Sequence, residues 1–192
     1  MEEKVINSQL EHTNEQFRAE LAKCRDIFSA KLRDYGASWR ILRASSVTDQ
    51  ILIKARRIRN LELGREAMVD EGIYPEFQGI VNYGVVGLIQ LELGFAEQED
   101  MTAEQALAHY DRHVAQALEL MVRKNHDYNE AWRQMRVSTY TDFILTRVQR
   151  VKEMEGNGGE ARVSEGIDAN YLDIMNYAVF GLIKLTEQAD GN

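Results

Sequence analysis

Two pairs of cations spaced three residues apart recur in this chain, Lys54 with Arg57 and Arg147 with Arg150. On a helix that spacing puts both side chains on one face, and two aligned cations suit a phosphate group. Other polar residues recur around them. Lys31, Asp34 and Tyr35 precede the first pair, and Glu71 and Asn82 follow it. Their counterparts are Lys124, Asp127, Tyr128, Glu165 and Asn176, with Asp173 added in the second set. Asp173, Asn176 and Tyr177 share a helical face, where a carboxylate and an amide can hold a magnesium ion or contact a base and sugar. The competing explanation is a network of structural ion pairs between helices, and the residues alone leave both open.

The recurrence reflects a duplication. Shifted by 93 positions, residues 31–62 align with 124–155 at 13 identities in 32; one more residue of offset aligns 71–91 with 165–185 at 11 in 21. Two tandem copies follow, a first repeat over residues 1–100 and a second over 101–192, joined by the acidic turn at Glu97 to Asp100.

The elements that must position these residues are helices. One proline in 192 residues and an abundance of Glu, Gln, Ala, Leu, Arg and Lys leave long stretches with nothing to break a helix. Each unit reads as three helices. The first carries Phe17, Leu21, Cys24, Ile27 and Phe28, or Tyr110, Val114, Ala117, Leu120 and Met121, at helical spacing. Gly36 and Asn129 stand just past its end, where a left-handed cap needs those types. Thr48 or Asp49, and Thr141 or Asp142, are candidate N-caps of the second helix. A polar loop, richest in glycine at Gly156 to Gly159, leads to a third helix beginning after Ile73 or Ile167, with Pro75 in its first turn. Three amphipathic helices cannot close a large core alone, so the copies are expected to pack face to face about a pseudo-twofold axis. Trp39 and Trp132, Tyr83 and Tyr177, and Gly87 and Gly181 are assigned to that packing.

Composition narrows the partners. A net charge of −8 opposes nonspecific binding to nucleic acid, since such binding rests on basic residues releasing counterions, but allows a basic pocket for one small phosphate compound. The most apolar stretch, Tyr83 to Leu91, is too short to span a bilayer, and the polar start lacks a secretory signal, so a cytoplasmic location with no membrane partner is expected. The single cysteine, Cys24, suits a reducing compartment and reads as a packed helix residue. His109 and His113 have the i, i+4 spacing of a zinc pair, but the first repeat has Gln16 and Glu20 there, which favours surface residues. Association of whole chains is left open.

With K-x-x-D-Y-G (Lys31, Asp34, Tyr35, Gly36), a basic helix carrying K/R-x-x-R, and E-x-I followed by L-D-I-x-N-Y (Glu165, Ile167, Leu172, Asp173, Ile174, Asn176, Tyr177), the chain resembles the nucleotide modification associated domain family, formerly catalogued as domain of unknown function 1599. The resemblance implies a helical protein of nucleotide metabolism. It is also similar in outline to the all-α nucleoside triphosphate pyrophosphatases of the MazG and dimeric dUTPase type, in which carboxylates on facing helices hold magnesium and a water is activated. Carried over, that likeness implies Asp173 and Glu165 as catalytic and metal-binding residues and magnesium as cofactor. It gives Lys124, Arg147 and Arg150 to phosphate, and Asp127, Tyr128 and Asn176 to the rest of the nucleotide. The pyrophosphatases pair E-x-x-E with E-x-x-D, whereas here the second helix is basic and the third reads N-x-x-D from Asn170 to Asp173. In the first copy Gly79 replaces the aspartate and Glu76 replaces Asn170. The first repeat is therefore expected to be degenerate as a site, or to lend Glu76, Lys54 and Arg57 to a single composite site at the junction, and the second to be the more complete one. The expectation is a nucleotide-handling protein, as a magnesium-dependent pyrophosphohydrolase of (deoxy)nucleotides or, in the alternatives, a noncatalytic nucleotide-binding module or a structural helical adaptor.

Overall fold

The computed structural model describes residues 2–66, 68, 71–158 and 165–191, and among these there is no strand. Six α-helices follow one another: α1 (Glu2–Tyr35), α2 (Ala44–Glu62), α3 (Tyr74–Leu93), α4 (Ala103–Tyr128), α5 (Val137–Gly156) and α6 (Ile167–Asp190). A short 3-10 turn precedes α2 at Ser38–Ile41 and α5 at Ala131–Gln134, and the two tryptophans shared by the repeats sit in these turns.

Local chemistry sets most helix ends. Gly36 and Asn129 terminate α1 and α4 with φ of 64° and 47°, the left-handed conformation expected of them. Thr102 and Gln105 form a reciprocal capping box at the start of α4, satisfying two amide hydrogens that the helix leaves open. Pro75 lies in the first turn of α3, where its missing N–H costs nothing. The glycine-rich loop begins as expected at the end of α5, with Gly158 at φ 77°, while Gly159 lies outside the described residues. The proposed N-caps of α2 and α5 require correction. Those helices start a turn earlier, at Ala44 and Val137. Thr48 and Thr141 instead lie inside the helices, fully buried, and their hydroxyls donate to Glu155 (2.6 Å) and Glu62 (2.8 Å) of the opposite repeat. Burial across the interface overrides the local capping preference.

Each helix packs against its own counterpart, α1 on α4, α2 on α5 and α3 on α6. That is the contact pattern of an isologous interface, here folded into one chain. The centre is α3 against α6, and glycine is what allows them to interlock: a Cβ on Gly84 would meet Met175 at 2.4 Å, one on Gly87 the Tyr171 ring at 2.4 Å, and one on Gly181 Phe77 at 3.0 Å. The first helix of each repeat also reaches across to the third helix of the other. Phe17 meets Phe180 edge-on at 5.6 Å, and the Tyr110 hydroxyl donates to Asn82 at 2.7 Å. Buried side chains from both repeats consequently form one apolar core. A separated repeat would expose Phe77, Ile80, Tyr171 and Ile174, each fully or almost fully buried here, at a cost of roughly 1.5–3 kcal/mol per large side chain.

Candidate functional site

In the first repeat the third helix does not seal against the end of the first. A cavity of about 570 Å³ opens between α1, the Ser38–Ile41 turn, α2 and α3, within the size range of small-ligand sites. Its floor is apolar and aromatic, made by Ile27, Phe28, Leu32, Trp39, Leu42 and Val86. Its walls are polar, with Lys31, Tyr35, Gln50, Lys54, Glu76 and Tyr83 among them. Lys31 and Tyr35 arrive there because α1 runs on to Gly36 before reversing, which leaves its last turn at the cavity mouth, while Asp34 is exposed and does not line the cavity.

Charge in the wall is arranged in one cluster. Glu76 is buried, 5% exposed, and binds both cations of the first pair: Lys54 Nζ at 3.2 Å and Arg57 Nη1 at 2.5 Å. Arg57 also approaches the exposed Glu71 at 3.5 Å. Lys54 lies across Gly79, where a Cβ would stand 2.6 Å from its Cε, and its ammonium sits 6.0 Å above the Tyr83 ring. Lys31 is exposed at the mouth and has no carboxylate partner among the described residues. Among the described residues of the cluster three cations therefore face two carboxylates, and Lys31 is the one that meets neither. Asn82 is committed to the frame, donating to the Cys24 carbonyl (3.1 Å) and accepting from Tyr110.

The second repeat arranges the corresponding residues differently. Asp173, 3% exposed, stands at the position of Gly79 and binds Lys124 at 2.5 Å and Arg147 at 2.8 Å, the latter at an angle poor for a hydrogen bond. Arg147 also donates to Asn170 at 3.3 Å. Lys124, Arg147 and Asp173 are thus brought together as ion pairs. Glu165, Asp127, Tyr128 and Arg150 are exposed, and Asp127 pairs with its neighbour His126 at 3.2 Å. Asn176 is 5% exposed, and its side-chain carbonyl oxygen has no hydrogen-bond partner among the described residues. Two aromatic substitutions add bulk. Phe180, at the position of Val86, stacks on Trp132 at 4.5 Å and 15°, and Phe143, at the position of Gln50, packs on Tyr177 at 5.2 Å. The open cavity thus lies in the repeat expected to be degenerate, and the fuller residue set of the other is engaged with itself.

The donor set does not fit a resident magnesium ion. Magnesium is held by carboxylates free to ligate, whereas Asp173 is occupied by two cations and Glu165 lies exposed. Among the described residues no three His, Cys, Asp or Glu side chains gather as a metal site. Cys24 is buried, and burial pushes its thiol up to about 12, which makes it inert. Burial likewise lowers the proton affinity of His113, which packs against Gln116 and Glu92. Reasoning from shared residues passed over Phe28, Gln50, Val86 and Phe180. The signal for them is in the positions where the repeats differ in size, Val86 against Phe180 and Gln50 against Phe143.

Two segments, residues 31–91 and 124–185, match the model of the nucleotide modification associated domain 1 family. Together they cover well over half of the chain, which belongs to that family as a tandem pair of its domains. The matched segments begin at Lys31 and Lys124, the lysines at the mouth of the cavity and at Asp173. No curated protein and no solved structure matches the chain. No described helix is long and apolar enough to cross a membrane.

Proposed function

We propose that this protein is a nucleotide-binding module whose site is the cavity of the first repeat. The observation that carries the reading is Lys31, a cation without a carboxylate partner among the described residues, beside Lys54 at the mouth of an aromatic-floored cavity. A base is amphipathic and planar, and the floor of Phe28, Trp39 and Val86 offers it an apolar bed. A phosphate is anionic, and Lys31 and Lys54 offer it charge-assisted hydrogen bonds. Membership of a family associated with nucleotide modification agrees with this chemistry. Arg57 supports the wall by fixing Glu76, and so acts on the ligand through Lys54.

Binding, rather than metal-dependent hydrolysis, is what the geometry favours, because the carboxylates here orient cations. The test is a panel of ribo- and deoxynucleotides, with and without magnesium, read by thermal shift and by phosphate and pyrophosphate release. Stabilisation without turnover is expected. Magnesium-dependent turnover lost in Asp173→Ala would establish the pyrophosphohydrolase instead, and no response to any nucleotide would leave a structural adaptor.

A further inference from the structure

The two repeats, superposed in sequence, differ at two places along the third helix that matter to a ligand. Position 79 is glycine where 173 is aspartate, and position 86 is valine where 180 is phenylalanine. In the second repeat both larger side chains make the contacts that a ligand would make in the first. The Asp173 carboxylate lies between Lys124 and Arg147, the counterparts of Lys31 and Lys54. The Phe180 ring stacks on Trp132, the counterpart of Trp39. In the first repeat Lys31 lacks a carboxylate partner among the described residues, Trp39 and Val86 line open space, and Lys54 lies over the bare backbone of Gly79.

We infer that the second repeat is a self-occupied copy whose Asp173 and Phe180 mark the positions of phosphate and base in the first, so that each chain binds one nucleoside monophosphate. The inference rests on the nucleotide reading of the cavity and specifies it. Seven residues separate the two positions, two helical turns or about 10.5 Å of axis, a span on the scale of a base and its 5′-phosphate. Charge selects the monophosphate. Among the described residues of this cluster, Lys31, Lys54 and Arg57 against Glu71 and Glu76 leave one formal positive charge. One phosphate group, at about −2, is close to what that cluster balances. A triphosphate brings two further anionic groups to a cavity whose described lining holds Glu71 and Glu76 and no cation beyond Lys31 and Lys54. The stand-in in the second repeat is likewise one small anion on two cations.

The experiment is calorimetric titration of the full chain with the common 2′-deoxynucleoside and ribonucleoside 5′-mono- and triphosphates and with the free nucleosides. The variants are Gly79→Asp and Val86→Phe. Gly79→Asp places a carboxylate beside Lys54, whose flexible end yields, and aspartate is no worse than glycine inside a helix, so the variant is expected to melt at or above the wild-type temperature. Expected are one site per chain, preference for the monophosphate over the triphosphate, and a loss of at least about tenfold in monophosphate affinity in Gly79→Asp, the effect of removing one charge-assisted contact. The free nucleoside should bind Gly79→Asp as it binds wild type, while Val86→Phe weakens both. Wild-type monophosphate affinity in Gly79→Asp, two sites per chain, or preference for triphosphate overturns this assignment while leaving nucleotide binding standing. Absence of any nucleotide binding by the wild type overturns both.

Discussion

Replacing Asp173 by alanine separates stability from binding. Asp173 is 3% exposed, whereas its partners Lys124 and Arg147 are 39% and 20% exposed. Breaking a fully buried ion pair costs about 3–5 kcal/mol, and breaking an exposed one about 0.2–1 kcal/mol. Here the anion is buried but both cations retain a path to water, and Arg147 keeps its contact with Asn170, which puts the loss near 2 kcal/mol by interpolation between those limits. For a chain of this length each kcal/mol moves the midpoint by about 2–4 °C, so the variant should melt roughly 4–8 °C below wild type by the same relation. Differential scanning calorimetry measures the shift. Because Asp173 belongs to the self-engaged repeat, nucleotide affinity measured well below the new midpoint should not change. An unchanged midpoint would show that the two ion pairs are not formed. Nucleotide affinity lost in a folded Asp173→Ala protein would refute the assignment of the ligand to the first repeat.

Two further outcomes test the frame that holds the cavity. Gly87→Ala drives a methyl against the Tyr171 ring, whose hydroxyl is tied to Thr48 at 2.7 Å and cannot swing aside; denaturant melts should show a loss of about 1–3 kcal/mol, typical of overpacking, while Gly156→Ala, with open space around it, should be nearly neutral. Burial raises the pKa of Glu62 and Glu155, the partners of Thr141 and Thr48, above the ordinary 4.5. The folded chain then binds those protons more tightly than the unfolded one, so their contribution is fully present below the ordinary glutamate range and is lost as pH rises through the raised value. A Glu62→Gln, Glu155→Gln double variant, which keeps an acceptor for each threonine, should flatten the fall of the melting midpoint with pH above about 4.5; an unchanged slope would remove these residues from the pH response.

The duplication, the helix ends at Gly36 and Asn129, and the face-to-face packing of the two copies were legible in sequence because each rests on periodicity, identity or a local backbone requirement. The caps of α2 and α5 were not. Thr48 and Thr141 have the residue type of a cap, and only the opposite repeat, by presenting Glu155 and Glu62, shows why they are buried within a helix instead. For the site, the likeness of the repeats led to Lys31, Lys54, Lys124 and Arg147, and the motif of the second repeat led to Asp173, all of which take part in one or other cluster. What identities could not show is which cluster is open. That depends on volume, on Val86 against Phe180 and Gly79 against Asp173, and a larger side chain reads in sequence as a fuller site when in the folded chain it occupies the space itself.

Lys31 and Lys124 are the same residue of the two repeats, one at a cavity mouth with no carboxylate partner among the described residues and one bound to Asp173, so comparing Lys31→Ala with Lys124→Ala in nucleotide titration tests the central claim most directly. Nucleotide affinity should fall at least about tenfold in Lys31→Ala, as expected for loss of a charge-assisted contact, and stay at the wild-type level in Lys124→Ala. Affinity retained in Lys31→Ala and lost in Lys124→Ala would put the site in the second repeat and contradict the account.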